Sequence, residues 1–209
     1  LLAQSVTSFI LTARPRDIQN IQALADVLEK LIRMEVVKKE APINDANNKR
    51  KTGYIITDNL SLFYYRYVFR YSSQMNVMDS DVFYDRYIRD EKQYVPRQFE
   101  EICRQYLIRQ NRAGKFPIPF DRIGKYYYDD PQTRTNGEFD IVTEDPNGYV
   151  SYEAKFRSEP LTQSMIQQEI EQVRRTGMNC YRYAFISRSG FDAQAEEGVE
   201  LIQLEKMYE

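Results

Sequence analysis

The run Glu138-Phe139-Asp140-Ile141-Val142-Thr143-Glu144-Asp145-Pro146-Asn147-Gly148-Tyr149-Val150-Ser151-Tyr152-Glu153-Ala154-Lys155 decides how this chain is read. Asp-Pro-Asn-Gly is a hairpin signal, because Pro presets φ while Asn and Gly tolerate left-handed backbone. Strands are expected over residues 138–143 and 149–156. Period-two alternation then puts Glu138 and Asp140 on one face, with Phe139 and Ile141 on the other. In the partner strand Glu153 and Lys155 share a face, opposite Tyr152, Ala154 and Phe156. With the apolar sets turned to a core, three carboxylates and one lysine converge across the hairpin. Such a cluster repels itself unless a cation neutralises it. Mg²⁺ or Mn²⁺ is the natural partner, because hard cations take carboxylate and water oxygens. A metal there would lower the pKa of a bound water, and Lys155 would position that water or stabilise charge developing at phosphorus. The plainer reading is an ordinary cross-strand ion pair on a solvated hairpin. Asp140, one strand earlier, weighs against it.

The flanking segments extend the pattern. Phe99, Ile102, Cys103, Tyr106 and Leu107 predict a helix over about 96–111 that carries Glu100 and Glu101. A strand is expected over 124–128. After the hairpin come a helix over 161–175, with Leu161, Met165, Ile166, Ile170 and Val173 inward, and strands over 181–187 and 199–204. The first half has another rhythm. Ile21, Leu24, Val27, Leu28, Leu31 and Ile32 predict an amphipathic helix. Val36-Val37, a polar stretch over 44–53 with Lys49, Arg50 and Lys51, and Tyr54-Ile55-Ile56 follow. That order is either the second half of a winged helix, with a basic wing, or a plain helix and hairpin with a solvated turn. Residues 60–71 form an aromatic block capped by Asp58 or Asn59. Its Arg66 and Arg70 suit base stacking with phosphate contact, although a buried helix bridging two domains is the stronger expectation. The stretch 72–97 is polar, with a short helix at Tyr84, Tyr87 and Ile88. The expected division is a winged-helix-like domain over 1–71, a linker over 72–95 and a second domain over 96–209. Residues 1–18 do not visibly supply the winged helix's opening helices.

The 209 residues hold 29 Lys+Arg against 31 Asp+Glu, two Cys, no Trp and no His. Without His, Ser-His-Asp and Cys-His catalysis and His-bearing zinc sites are excluded, and two Cys cannot close a four-ligand zinc site. Carboxylates, lysines and hard metals must carry any chemistry. No Gly-x-x-x-x-Gly-Lys-[Ser/Thr] loop and no Gly-x-Gly-x-x-Gly is present, so no nucleotide-phosphate cradle is visible. Residues 96–209 hold 15 basic against 19 acidic residues, which weighs against tight DNA binding by that half. No apolar run approaches the ~20 residues of a membrane span, and neither the start nor the cysteines suggest export. A cytoplasmic, non-membrane protein is expected. Its first residue, Leu1, leads to the expectation of a fragment.

Further residues sharpen the pattern. Tyr54-Ile55-Ile56-Thr57-Asp58-Asn59, Leu62-Phe63-Tyr64-Tyr65-Arg66-Tyr67, Phe99-Glu100, Gly124, Glu138-Phe139-Asp140-Ile141-Val142, Glu153-Ala154-Lys155 and Ser189-Gly190-Phe191 occur in that order. The second half resembles the PD-(D/E)xK nuclease superfamily. The whole series resembles the C-terminal region of archaeal-type AAA/STAND ATPases, also found in bacteria. The resemblance implies an α/β (α+β) fold: a winged helix, then a restriction-endonuclease-like αβββαβ domain around a central mixed sheet. It implies metal ligands at Asp140, Glu153 and Glu100 and catalytic roles for Asp140, Glu153 and Lys155. Glu138 and Gln167 (or Gln168) would be supporting groups, and Lys49, Arg50 and Lys51 would contact nucleic acid. Phe139 stands where the motif usually has Pro, and Tyr126-Tyr127-Tyr128 stands in a region often rich in Trp. The implied function is a Mg²⁺- or Mn²⁺-dependent DNA phosphodiesterase, a hydrolase joined to an N-terminal ATPase domain that alone binds ATP. The alternative is a non-catalytic nuclease-like scaffold that binds DNA or a partner and regulates that ATPase. Oligomerisation is left open.

Overall fold

A computed structural model of the protein describes residues 21–48, 50–89, 94–130 and 135–208. The chain divides into two compact units, residues 1–41 with 47–91, and residues 42–46 with 92–209.

In the first unit, α1 (Ile21–Arg33) leads into a hairpin of β1 (Val37–Glu40) and β2 (Gly53–Ile56), paired antiparallel. Leu28 and Val37 are buried, but Val27, expected on the apolar face of α1, is 50% exposed. Helix α2 (Asn59–Phe63) starts at Asp58, whose carboxylate accepts from Ser61 N at 2.7 Å. It runs on as a π-helical stretch, Tyr64–Phe69. The expectation of a buried aromatic helix is corrected here. Tyr67 is buried, whereas Leu60, Phe63, Tyr64, Tyr65 and Phe69 are all exposed. Consecutive aromatics point all round a helix, so one buried stripe cannot hold them. Then come α3 (Ser72–Met75) and α4 (Ser80–Tyr87), the latter capped by Asp79 and carrying buried Phe83.

The second unit is built on a five-stranded mixed sheet. Helix α5 (Tyr94–Arg112) precedes β3 (Arg122–Asp130), β4 (Thr135–Asp145) and β5 (Gly148–Lys155). A short β6 (Leu161–Thr162) and α6 (Gln163–Arg175) lead to β7 (Cys180–Ser187). A short β8 (Phe191–Asp192) and β9 (Val199–Gln203) follow, and a 3-10 turn (Leu204–Met207) comes last. The sheet order is β3-β4-β5-β7-β9, with β3, β4 and β5 antiparallel and β5, β7 and β9 parallel. One core joins Phe99, Cys103 and Leu107 of α5 to Ile141, Val150, Tyr152, Ala184, Ile186 and Ile202. On the other face, Ile166 and Ile170 of α6 pack with Leu161 and Phe185, and Val173 packs with Phe139, Val142, Met178 and Ile43. The sheet therefore lies between α5 and α6, and β7 is buried on both faces, as parallel strands require.

Three details differ from the expectations. First, Phe139 and Ile141 do not share a face, since Phe139 packs with Val142 while Ile141 packs with Tyr152. The cause is a bulge: Gly124 pairs with Val142 but Tyr126 pairs with Phe139, so β4 holds one extra residue at Asp140–Ile141. Second, α6 begins at Gln163, because Leu161–Thr162 pair in parallel with Phe191–Asp192. Third, residues 42–46, which overlap the start of the expected wing, belong to the second unit. Ile43 N donates to Lys125 O at 2.7 Å, and the Asn44 side chain brackets Tyr127, donating to its carbonyl at 2.8 Å and accepting from its N–H at 3.1 Å. Gly124 makes room for this, since a Cβ there would stand 2.8 Å from Ile43 Cγ2. The segment thereby covers the outer edge of β3, the first strand of the sheet.

Candidate active site

Strands β4 and β5 pair from Asp145–Gly148 up to Ile141–Tyr152 and then part. Asp140 on the bulge and Glu153 on β5 are the first residues beyond that last pair. Into this fork α5 brings Glu100. Glu100 lies three residues before Cys103 and seven before Leu107, so it shares their sheet-facing side of the helix. It is the one carboxylate in an apolar stripe. Burial, and then the nearby Asp140 carboxylate, push Glu100 up to about 7, against the pull of Lys125 and Arg97. Glu153 is raised by burial and by Glu169 and Asp140, while Lys155 opposes the rise. Glu100, Asp140 and Glu153 thus feel one another's charge.

Two lysines bridge the fork. Lys155 Nζ lies 2.6 Å from Glu153 Oε1 and 2.7 Å from Glu169 Oε1 of α6. Lys125 Nζ, from β3, lies 2.5 Å from Glu138 Oε1 and 3.1 Å from Asp140 Oδ1. Burial would lower both ammonium pKa values, but the paired carboxylates raise them above the ordinary lysine value. Beside Lys155, in register on β7, Ser187 is fully buried, and its hydroxyl has no hydrogen-bond partner among the described residues.

The expected site residues therefore separate into three groups. Asp140, Glu153, Lys155, Glu100 and Glu138 come together at the fork. They do not close into one ligand group: among the described residues no three His, Cys, Asp or Glu side chains stand close enough to hold a metal ion. Each lysine instead claims one of the two strand carboxylates. Gln167 faces elsewhere, with its Nε2 donating to Glu196 Oε2 at 3.0 Å beside a separate cleft of about 390 Å³. The polar group that α6 offers to Lys155 is Glu169, which a helix turns about 200° from Gln167. Arg50 and Lys51 lie in the turn between β1 and β2, and Lys49 lies outside the described residues. Sequence reasoning missed Lys125 and Glu169. Lys125 lies in β3, outside the hairpin that carries the motif, and reaches Asp140 only where β3 pairs with the bulged part of β4.

The fork therefore gathers carboxylates around two lysine ammoniums, with the buried Ser187 hydroxyl in register with Lys155. The protein is thus a mixed α/β protein whose central mixed sheet carries a forked, lysine-bridged acidic site. The chain belongs to the DUF234 family, archaeal and bacterial proteins of unknown function, which matches residues 64–173. An uncharacterized protein of Methanocaldococcus jannaschii, MJECL04, is 30% identical over 106 residues, which are 50% of this chain and 24% of that protein. The chain thus spans about a quarter of that relative's length. Among solved structures, that of AF1548, a protein of unknown function, aligns with a TM-score of 0.34 at 12% identity, covering 49% of this chain and 58% of that one. Among the described residues no helix is long and apolar enough to cross a membrane.

Proposed function

We propose that the second unit is a Mg²⁺- or Mn²⁺-dependent phosphodiesterase of PD-(D/E)xK type acting on DNA. The observation that carries this reading is the fork itself, where Asp140, Glu153 and Lys155 meet Glu100 from α5 just where β4 and β5 part. Asp140, Glu153 and Glu100 would hold the cation, which supplies charge to polarise a phosphodiester and acidify water. Lys155, held between Glu153 and Glu169, presents a fixed positive charge toward a phosphate oxygen.

The test is Mn²⁺- or Mg²⁺-dependent cleavage of linear, branched, single- and double-stranded DNA by the intact protein. Asp140→Asn, Glu153→Gln and Lys155→Met should each remove cleavage while leaving the protein folded. Failure of the wild type on every substrate, alone or with its ATPase part, defeats the nuclease reading. A second reading, a nuclease-like scaffold, draws on the two lysines, which already neutralise the strand carboxylates without metal. A robust activity abolished by Asp140→Asn would defeat that one.

We read the first unit as part of a winged helix, from α1 and the β1–β2 hairpin, and the chain as the C-terminal portion of a longer ATPase. The motif series of the sequence supports both. Reversing Lys49, Arg50 and Lys51 to Glu should weaken DNA binding and flatten its salt dependence, by about one unit of log–log slope for each phosphate no longer neutralised. Unchanged affinity in a filter-binding titration would assign the hairpin turn to protein contact instead.

A further inference from the structure

The π-helical stretch after α2 carries rings that the first unit leaves in water. Tyr67 is buried, whereas Tyr64, Tyr65 and Phe69 are 45%, 43% and 60% exposed. These three form one patch, with ring centroids 5.4 Å apart for Tyr64 and Tyr65, 5.6 Å for Tyr65 and Phe69, and 6.4 Å for Tyr64 and Phe69. The backbone makes the patch. An α-helix advances about 100° per residue and would set Tyr64 and Phe69 about 140° apart. The i→i+5 pairing of a π-helix brings them to one side instead. Such stretches are rare and frequent at functional sites, and core packing does not account for this one, because the rings it gathers are exposed.

The charge along this segment is one-sided. Between Asp58 and Asp79 the chain holds Arg66 and Arg70 and no acidic residue, although the protein as a whole has a net charge of −2. Arg70 follows Phe69 directly and is exposed, with its guanidinium 5.3 Å from the Tyr71 ring centroid. Clustered rings alone would also suit an apolar protein surface. Rings with arginine and without acid select a ligand that has flat faces and repeating negative charge. Unpaired bases supply the faces and phosphates the charge. A duplex hides its base faces, so the strand must be single.

We propose that Tyr64, Tyr65 and Phe69 form a stacking platform for consecutive bases of single-stranded DNA, with Arg70 against an adjoining phosphate. The choice of DNA over RNA rests on the phosphodiesterase reading above, whereas the platform itself needs neither metal nor cleavage.

The experiment titrates the intact protein into fluorescein-labelled oligo(dT) in EDTA and follows anisotropy. Tyr65→Ala and Phe69→Ala, either of which suffices if the other fails to fold, should each weaken binding about 5- to 100-fold, the loss of one stacked base. Phe69→Leu keeps an apolar side chain without a π face, and should behave like Phe69→Ala. Arg70→Gln should lower the log–log salt slope by about 0.7. Because the chain has no Trp, Phe69→Trp puts a single reporter on the platform, which oligo(dT) should quench and duplex DNA should not. No binding by the wild type, unchanged binding by the ring variants, a reporter that stays unquenched, or tighter binding to oligo(U) would overturn the proposal. Self-association lost in the ring variants, with no oligonucleotide bound, would assign the patch to protein contact and overturn it equally. The nuclease reading is tested separately, by cleavage with metal present.

Discussion

Glu100→Gln is expected to stabilise the protein at pH 8 in the presence of a chelator, by about 1–3 kcal/mol, and to change little at pH 4. The reason lies in the helix. An apolar stripe of Phe99, Cys103 and Leu107 docks α5 on the sheet, and Glu100 lies on the same side. Its carboxyl is raised from 4.5 to about 7 by burial and by Asp140. Below pH ~4.5 Glu100 is protonated in the folded and the unfolded chain alike, and it contributes no pH dependence. Between pH ~4.5 and ~7 only the folded chain keeps the proton, so unfolding releases it and stability declines as pH rises. Above ~7 the penalty is complete. The whole shift corresponds to about 3 kcal/mol, and partial exposure of the side chain reduces that. Gln fills the same space and cannot ionise, so the variant lacks the decline. Urea unfolding of both proteins across pH 4–8 reads the difference directly, and a gap that does not grow with pH would refute the half-buried, charge-crowded placement of Glu100. Saturating Mn²⁺ gives a second reading of the same pair. If Glu100 is a ligand, the metal stabilises the wild type more than the variant and the order reverses.

What the sequence made legible at this site followed from short-range chemistry. The Asp145-Pro146-Asn147-Gly148 turn located the hairpin, and the structure places it between β4 and β5 with Gly148 at φ 133°. The helical spacing of Phe99, Cys103 and Leu107 located α5 to within about two residues at each end. The failures share a cause as well. Alternation assumes an unbroken ladder, and nothing in Phe139-Asp140-Ile141 marks the extra residue that splits Phe139 from Ile141. Lys125 and Glu169 reach the fork only through pairing of β3 with β4 and docking of α6, which are long-range facts. The same holds for residues 42–46: an Ile beside a Pro reads as part of a polar turn until Gly124 is seen to leave room for it. Motif spacing therefore named Asp140, Glu153 and Lys155, the members carried by one hairpin. It missed the lysine that holds Asp140.

The anchoring of Glu100 can itself be probed from a distance. Leu107 is fully buried, two helical turns from Glu100 on the same side of α5, within the core that includes Ile141, Ile186 and Ile202. Leu107→Ala should cost about 2–5 kcal/mol, the lost transfer free energy plus that of a cavity the rigid sheet cannot close. The far end of the helix keeps other ties. Asn111 both donates to and accepts from the backbone of Phe120, at 3.0 and 3.1 Å, and Arg109 donates to the Met207 carbonyl. The helix should accordingly stay formed and dock less tightly rather than detach. Looser docking admits water to Glu100 and draws its pKa back toward the ordinary value. The pH-dependent gain from Glu100→Gln should then shrink in a Leu107→Ala background, so the two substitutions are non-additive at pH 8 and additive at pH 4. A double-mutant cycle by urea unfolding at both pH values measures this coupling. Additivity at both, or a loss below about 1 kcal/mol for Leu107→Ala alone, would mean that the stripe does not hold Glu100 in place. The elevated proton affinity at the fork would then have to come from Asp140 and Glu153 alone.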